Sequence, residues 1–202
     1  MDVRRISPAL TTEQKLTVVT LAEAKMQARV SHSFEDSLIT SFIAAAYDYL
    51  AGRDGWLNRY CLLKESYAVY FPAPRPGPFT LELPMRPFID VDAFEWRQGD
   101  GSYVAVDPSL FAGTGGDVFG TLARVGGSWP YSGPAHPLAY RVTFSAGHAT
   151  AAEIPEPLKQ SIRLLVAEFY DNRTASADVM RPQALFGLQA LAGRYRIAKD
   201  HS

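Results

Sequence analysis

The sequence predicts an α+β fold: a helical core built from N- and C-terminal helices, with an inserted antiparallel β-rich region. Apolar residues recur at helical spacing near both ends of the chain, within residues 21–50 and 158–191. From about residue 60 to residue 148, prolines and glycines break the pattern every few residues, and short β-forming runs lie between them. A hydrophobic share of 47% supplies enough apolar surface for a packed core.

Two helices are predicted in the N-terminal part. Thr20 is expected to cap a helix over residues 21–30, and Ser33 to cap a second helix that stops near Gly52. The second helix carries two adjacent apolar stripes, and such a wide apolar face predicts deep burial. The first stripe consists of Phe34, Leu38, Phe42, Ala45 and Tyr49, and the second of Ile39, Ile43, Ala46 and Leu50.

The middle of the chain reads as strands and turns. The turn-forming sequence Gly99-Asp100-Gly101 predicts a hairpin. Strands are expected over residues 67–71, 79–83, 89–96, 102–106, 118–125 and 138–145.

Helical character returns near the C-terminus. Pro157 suits the first turn of a helix, and Leu158, Ile162, Leu165 and Phe169 follow at helical spacing. A polar, mobile link over residues 174–182 and a last helix over residues 183–191 are expected next. We therefore divide the chain into residues 1–58, 59–150 and 151–202, as one composite domain with an insertion.

Two glycine-rich stretches were compared with catalytic motifs. Residues 113–120 lack the spacing and the following helix of a phosphate-binding loop, so they predict a flexible β-loop. Pro130 replaces the last glycine of a nucleophile elbow in the Gly126–Pro130 stretch, which predicts a turn.

No catalytic, metal or cofactor site is predicted, and the chain is not expected to be an enzyme. Asp90 and Asp92 could form an acid/base pair, but an exposed strand face with solvated charges is the favoured interpretation. The single cysteine, Cys61, lies in an apolar run and is expected to be buried. The histidines are isolated in the sequence: His32, His136, His148 and His201. The tryptophans, Trp56, Trp96 and Trp129, are scattered and predict only core or interface positions.

Charge and hydropathy limit the possible partners. The net charge of −1 favours no polyanionic partner such as nucleic acid. No stretch approaches the roughly 20 apolar residues of a membrane span, and we expect neither a membrane partner nor a signal peptide. A cytoplasm-like setting for synthesis follows from these expectations.

Several segments, taken in order, carry a resemblance to a known family. The longer ones are VTLAEAK at 19–25, IAAA at 43–46, LELP at 81–84, VTFSAG at 142–147, IPEPLKQ at 154–160 and LLVAEFYDNR at 164–173. Shorter ones are Arg29-Val30, Asp36, Leu38-Ile39, Pro87, Val91, Asp100-Gly101, Trp129-Pro130, Ala190-Leu191 and Arg194 to Arg196.

Over about residues 18–196, this ordered set resembles the head–tail connector (adaptor) family of long-tailed bacteriophages and gene transfer agents. The sequence departs from the family at Met26-Gln27-Ala28, where a histidine and a leucine are usual. The first seventeen residues and residues 126–136 match poorly.

The resemblance implies a structural role in the neck of a virion or phage-like particle, after synthesis in a bacterial host cytoplasm. Subunits would form a ring with copies of themselves, usually a dodecamer, between the portal protein and a tail-side stopper or terminator protein. DNA would pass through the channel without sequence-specific binding. Helices from both chain ends would pack side by side as the wedge of the ring.

The resemblance also implies that the C-terminal segment grips the portal. From composition alone, this basic segment could equally be a frayed, solvated terminus. The predicted portal-docking residues are Leu188, Leu191, Arg194, Tyr195, Arg196, Ile197 and Lys199.

Other functions remain open at the level of sequence. They are another neck component (a stopper or a tail terminator), a small hydrolase using Asp90 and Asp92, and a β-rich binding module. The ring size, the subunit interfaces, the lumen residues and the tail-side partner are likewise open. So are the state of the isolated subunit and the choice between virus and transfer agent.

Overall fold

The computed structural model confirms the α+β class, with helices at both ends of the chain and a β-rich middle. It describes residues 2–73, 80–116, 119–126, 135–172 and 182–197. The chain forms two compact units. The β unit comprises residues 1–8 and 63–149, and the helical unit comprises residues 9–62 and 150–202.

Where the structure describes the β unit, its strands form two antiparallel sheets. Its strands are β1 (Asp2–Arg5), β2 (Glu65–Phe71), β3 (Thr80–Leu83), β4 (Phe88–Arg97), β5 (Tyr103–Ala105), β6 (Phe111–Thr114), β7 (Gly120–Arg124) and β8 (Tyr140–Ala146). The larger sheet has the order β1-β2-β8-β4-β5, and the smaller sheet has the order β3-β7-β6. Strands β6 and β7 both contact β4, so the small sheet packs against the large one there.

A row of buried side chains crosses the larger sheet. Val3 pairs with Val69, Val69 pairs with Val142, and Val142 pairs with Phe94. All four side chains are at most 8% exposed. Because strand side chains alternate between faces, this row fixes which residues of each strand face the core.

A row of charged and aromatic side chains crosses the same sheet. Arg141 donates two hydrogen bonds to Glu95, at 2.6 and 2.7 Å, and its guanidinium lies 4.5 Å from the centroid of the Tyr103 ring. Its neighbour Tyr70 stacks beneath Arg4, at 5.3 Å from the ring centroid. The bond to Glu95 raises the pKa of Arg141 above its ordinary value. These cross-strand contacts add to the pairing of the strands.

The glycine-rich stretch is the hairpin of β6 and β7, with the glycines packed closely on β4. A Cβ on Gly120 would lie 2.2 Å from Cδ2 of Phe88, and one on Gly115 would lie 2.7 Å from Cδ1 of the same ring. A Cβ on Gly113 would lie 2.8 Å from Val91 Cγ2. The described residues of the stretch lie in strands and the loop beside them; strand β6 was not predicted, and the flexibility of the loop stays a prediction. Close packing on Phe88 explains why glycines cluster here.

Five α-helices lie in the described residues of the helical unit. They are α1 (Thr12–Leu16), α2 (Leu21–Ala28), α3 (Asp36–Leu50), α4 (Glu156–Asp171) and α5 (Pro182–Ala192). Within the described ranges, no helix combines the length and the apolar character needed to cross a membrane.

Helix α4 joins the two ends of the chain. It contacts α2 and α3 from the N-terminal part and α5 from the C-terminal part. Leu158, Ile162, Leu165 and Val166 of α4 are fully buried, which confirms most of the predicted stripe. The rings of Phe42 and Phe169 meet edge to face at 6.2 Å, and Leu164 contacts Gly187 of α5.

The start of α2 is the predicted one. Thr20 forms a capping box: its Oγ1 accepts a hydrogen bond from the backbone N–H of Glu23, and its own backbone N–H donates to Glu23 Oε2 at 2.8 Å. That second bond holds the pKa of Glu23 below its ordinary value. The backbone amides of Thr20 and Glu23, which have no partner within the helix, are thereby hydrogen-bonded.

Two predictions about α3 are wrong. Ser33 does not cap it: the helix begins at Asp36, with Glu35 at the cap position and no side-chain capping bond. The helix is also not deeply buried on both stripes. The second stripe is completely buried, whereas Phe34, Ala45 and Tyr49 of the first stripe are exposed and Leu38 and Phe42 are half-buried.

The remaining element predictions agree with the structure to within a few residues, wherever it describes them. The turn at residues 99–101 joins β4 to β5, and Gly101 has a φ of +91°. Strand β1 and the short helix α1 were not predicted. The predicted mobile link lies outside the described residues, except for Pro182. The turn at residues 127–130 and the first residues of the strands predicted from 79 and 118 also lie outside them.

The close packing on Phe88 predicts the effect of a single methyl group. Gly120→Ala should destabilise the protein by about 1–3 kcal/mol, because the added Cβ overlaps the Phe88 ring. Urea unfolding measures this change. Gly126→Ala is the matched control, since its Cβ would meet nothing within 4 Å. Equal stability of the two variants would contradict the packing described here.

Urea unfolding also tests the finding that a side chain caps the N-terminus of α2 but not that of α3. Thr20→Ala should lower the free energy of unfolding by about 1 kcal/mol, because it removes the cap of α2. Ser33→Ala should change it by less than about 0.5 kcal/mol, because Ser33 caps no helix. A larger loss in Ser33→Ala than in Thr20→Ala would refute this account of the helix starts.

Candidate docking surface at the C-terminal segment

The loop of residues 51–60 (the 51–60 loop) is held by backbone hydrogen bonds directly after α3. The amide of Gly52 donates to the carbonyl of Tyr60 at 2.7 Å, and that of Trp56 donates to Tyr49 at 2.8 Å. A Cβ at Gly55 would lie 2.2 Å from the carbonyl oxygen of Ala51, so the loop closes too tightly there for any other residue. The bonds make the loop a fixed platform.

The C-terminal segment of residues 193–197 lies on this platform. The amide of Ile197 donates to the carbonyl of Leu57 at 3.1 Å, and Asn58 Nδ2 donates to the carbonyl of Ile197 at 3.4 Å. The Arg196 guanidinium lies 4.7 Å from the centroid of the Trp56 ring. The rings of Tyr195 and Tyr60 meet edge to face at 6.1 Å. Up to residue 197, the segment is anchored and does not fray.

A cleft of about 440 Å³ opens beside this anchor. It combines two carboxylates, one guanidinium and two aromatic rings. Such a mixture suits polar and aromatic side chains of a protein partner. Its lining residues are Asp48, Tyr49, Ala51, Asp54, Gly55, Trp56 and Arg196.

The structure separates the predicted docking residues into two groups. Leu188 is fully buried and Leu191 half-buried, so these two hold α5 in place. Arg194 and Arg196 are exposed, and Tyr195 and Ile197 are half-buried along the 51–60 loop. Lys199 lies outside the described residues.

Sequence reasoning did not find the platform. Trp56 and Arg196 are 140 positions apart, and neither has a spacing that indicates the other. The signal that was present is compositional: aromatic residues and arginine, which are enriched in binding hot spots, occur in both segments.

The other candidate residues, the two aspartates of β4 and the single cysteine, occupy ordinary strand and core positions. Asp90 and Asp92 are both exposed; Asp90 accepts a hydrogen bond from the Val91 amide, and Asp92 accepts one from Ser145 Oγ at 2.9 Å. Cys61 is buried, as predicted. Among the described residues, no group of three or more His, Cys, Asp and Glu side chains could hold a metal ion.

The anchor predicts the local stability of the segment. Arg196→Gln removes the cation from the Trp56 ring, a contact worth about 0.5–1 kcal/mol at an exposed position. Hydrogen exchange at the Ile197 amide should therefore become about two- to five-fold faster. Arg194→Gln is the control, since Arg194 stacks on Tyr195 and not on the loop. Unchanged exchange in Arg196→Gln would show that this ring does not hold the segment.

Among the comparisons with known proteins, only the one with solved structures gives matches. No protein-family model matches the sequence, and no curated protein matches it. Similar solved structures include the neck of an empty GTA particle computed with C6 symmetry, with a TM-score of 0.73 and 23% identity. They also include the virion of a native gene transfer agent (GTA) particle, with a TM-score of 0.72 and 22% identity.

A third similar chain comes from the neck of a native GTA particle computed with C12 symmetry, with a TM-score of 0.72 and 21% identity. Each similarity covers 98% of this chain and 97% of the other chain. This agreement supports the resemblance seen in the sequence. Over nearly its whole length, the chain has the fold of a chain from gene transfer agent particles, two of these structures being of the particle neck.

Proposed function

We propose that this protein is a structural adaptor subunit in the neck of a phage-like particle, between the portal and the tail-side proteins. The observation that carries the proposal is the shared fold with chains from gene transfer agent necks, over 98% of this chain. In this role the protein extends the DNA channel and gives tail-side proteins a surface to bind. It performs no chemical reaction.

The subunits form a closed ring, with twelve copies. The C6 and C12 symmetries of the similar neck structures support a cyclic arrangement. In a cyclic ring each copy uses one patch toward one neighbour and a different patch toward the other. The near-neutral net charge of −1 also suits a channel through which DNA must slide, since dense cationic binding to phosphates would hold it.

The C-terminal segment contacts the portal, and this contact positions the subunit in the neck. Arg196 stacks on the 51–60 loop and Arg194 on the anchored Tyr195, which lowers the entropy lost when these exposed side chains bind a partner. The buried Leu188 and half-buried Leu191 contribute by holding α5, and Lys199 extends the basic run beyond it.

A second candidate is another ring of the same neck, either a stopper or a tail terminator. It is kept because the similar chains belong to structures of a neck or a virion, which does not identify the ring that each chain forms. An adaptor must touch the portal directly, which separates the two candidates. Asp90 and Asp92, exposed and bonded within their own sheet, give the hydrolase alternative no buried acid/base pair.

The test is portal binding by a charge-reversed segment. Arg194→Glu should weaken capture of this chain by purified portal at least about tenfold, because it inverts an exposed cation of the contact and keeps the Arg196 anchor on Trp56. Chemical cross-linking in assembled particles should join the native segment to the portal.

The control carries a similar charge change elsewhere. Arg124→Glu alters an exposed arginine of β7 in the β unit and should leave portal capture unchanged. Equal capture by all variants would rule out the docking role of the segment. Cross-links that reach only tail-side proteins would instead favour the second candidate.

A further inference from the structure

Among the described residues, several apolar side chains of α3 and of the residue just before it are exposed or half-buried. Phe34, immediately before the helix, is 92% exposed, and Tyr49 near its end is 38% exposed. Ala45 is exposed and Leu38 half-buried between them. We call Phe34, Leu38, Ala45 and Tyr49 the α3 patch. The charged side chains of α3 are only Asp36 and Asp48, near its two ends.

Helix α5 has a second such surface. Its eleven residues include no charged side chain. Leu188 and Ala192 are fully buried, whereas Phe186 is 76% exposed, Leu185 is 37% exposed and Ala190 is also exposed. We call Leu185, Phe186 and Ala190 the α5 patch. An isolated exposed leucine needs no explanation, but a phenylalanine at the centre of an uncharged helix face does.

The two patches lie on different helices that both pack against α4. Helix α3 contacts α4 through residues such as Phe42, and α5 contacts it near Gly187. Phe42, in the same stripe as the α3 patch, packs on Phe169 of α4, so the α3 patch lies at the margin of that contact, with Phe34 and Tyr49 exposed beyond it. Interface cores are depleted in charged residues and enriched in aromatic ones, and both patches have this composition.

We propose that the α5 patch of one copy packs against the α3 patch of the next copy around the ring. The inference rests on the proposed function, because a closed ring of identical subunits requires two different patches that fit each other. The similar chains are found in neck structures of C6 and C12 symmetry, which makes a second copy of this chain the occupant. Neither patch contains a charged side chain, so their contact desolvates little charge; the nearest on α3 is Asp48, which precedes Tyr49.

Cross-linking between copies tests the pairing. The double variant Phe34→Cys and Phe186→Cys is introduced into particles, which are treated with a short bis-maleimide. A maleimide is preferable to oxidation, because a disulfide forms only when the Cα atoms lie within about 7 Å. The native Cys61 is buried and should not react. The expected product is a ladder of covalent multimers that extends to the complete ring.

The single-cysteine variants are the matched controls and should give no species larger than a dimer. Monomers alone from the double variant, in particles whose neck contains the chain by antibody labelling, would overturn the pairing and leave the proposed function intact. Absence of the chain from the neck would overturn the proposed function, and the pairing with it. A dimer from one single variant at full yield would show like patches in contact and also overturn the pairing.

Replacing the exposed phenylalanine of each patch tests the pairing independently, with incorporation into the ring as the measurement. Phe34→Ser and Phe186→Ser should each reduce ring incorporation into particles at least about tenfold while the fold is kept, because both side chains are mostly exposed. Val125→Ser, 66% exposed in the β unit, is the control and should incorporate normally. Normal incorporation of both phenylalanine variants would contradict the proposal.

Discussion

The helical unit depends on the burial of one face of α4. Leu158, Ile162 and Leu165 of that face are completely buried, and the helix contacts elements from both ends of the chain. Burying three such side chains contributes about 1.5–3 kcal/mol each relative to exposure. Helix α4 packs against both α3 and α5, and apolar side chains such as Phe34 and Phe186 stay exposed among the described residues. The same packing that joins the chain ends therefore leaves apolar surface for another protein to cover.

Much of the fold could be predicted from the sequence, and the misses have physical causes. Periodicity identified α3 with both apolar stripes, but it does not say how deeply each is buried: the second stripe is completely buried, whereas the first is half-buried around Phe42 and exposed at its ends. Ser33 has the right chemistry for a cap, yet the chain enters the helix two residues later, and no local signal encodes that path. Strand β1 was missed because only Val3 among its residues faces the core.

The docking surface was predicted only in part. The basic residues after α5 are visible in the sequence, but their platform is not, because Trp56 and Ile197 are brought together by tertiary folding. Leu188, one of the docking residues predicted from the resemblance, is fully buried in this subunit. A buried side chain and an exposed one of the same type cannot be told apart by composition. The anchored segment and the α3 and α5 patches together make the helical unit the part that would meet other proteins.

The central claim is that this chain is a ring-forming subunit of a particle neck. The most direct measurement is an electron cryomicroscopy reconstruction of the neck at a resolution that traces side chains. The account predicts this fold in a closed ring next to the portal, with residues 193–197 on the portal side and α3 facing α5 of the neighbour. Density for the chain outside the neck, or no density for it in the particle, would contradict the account.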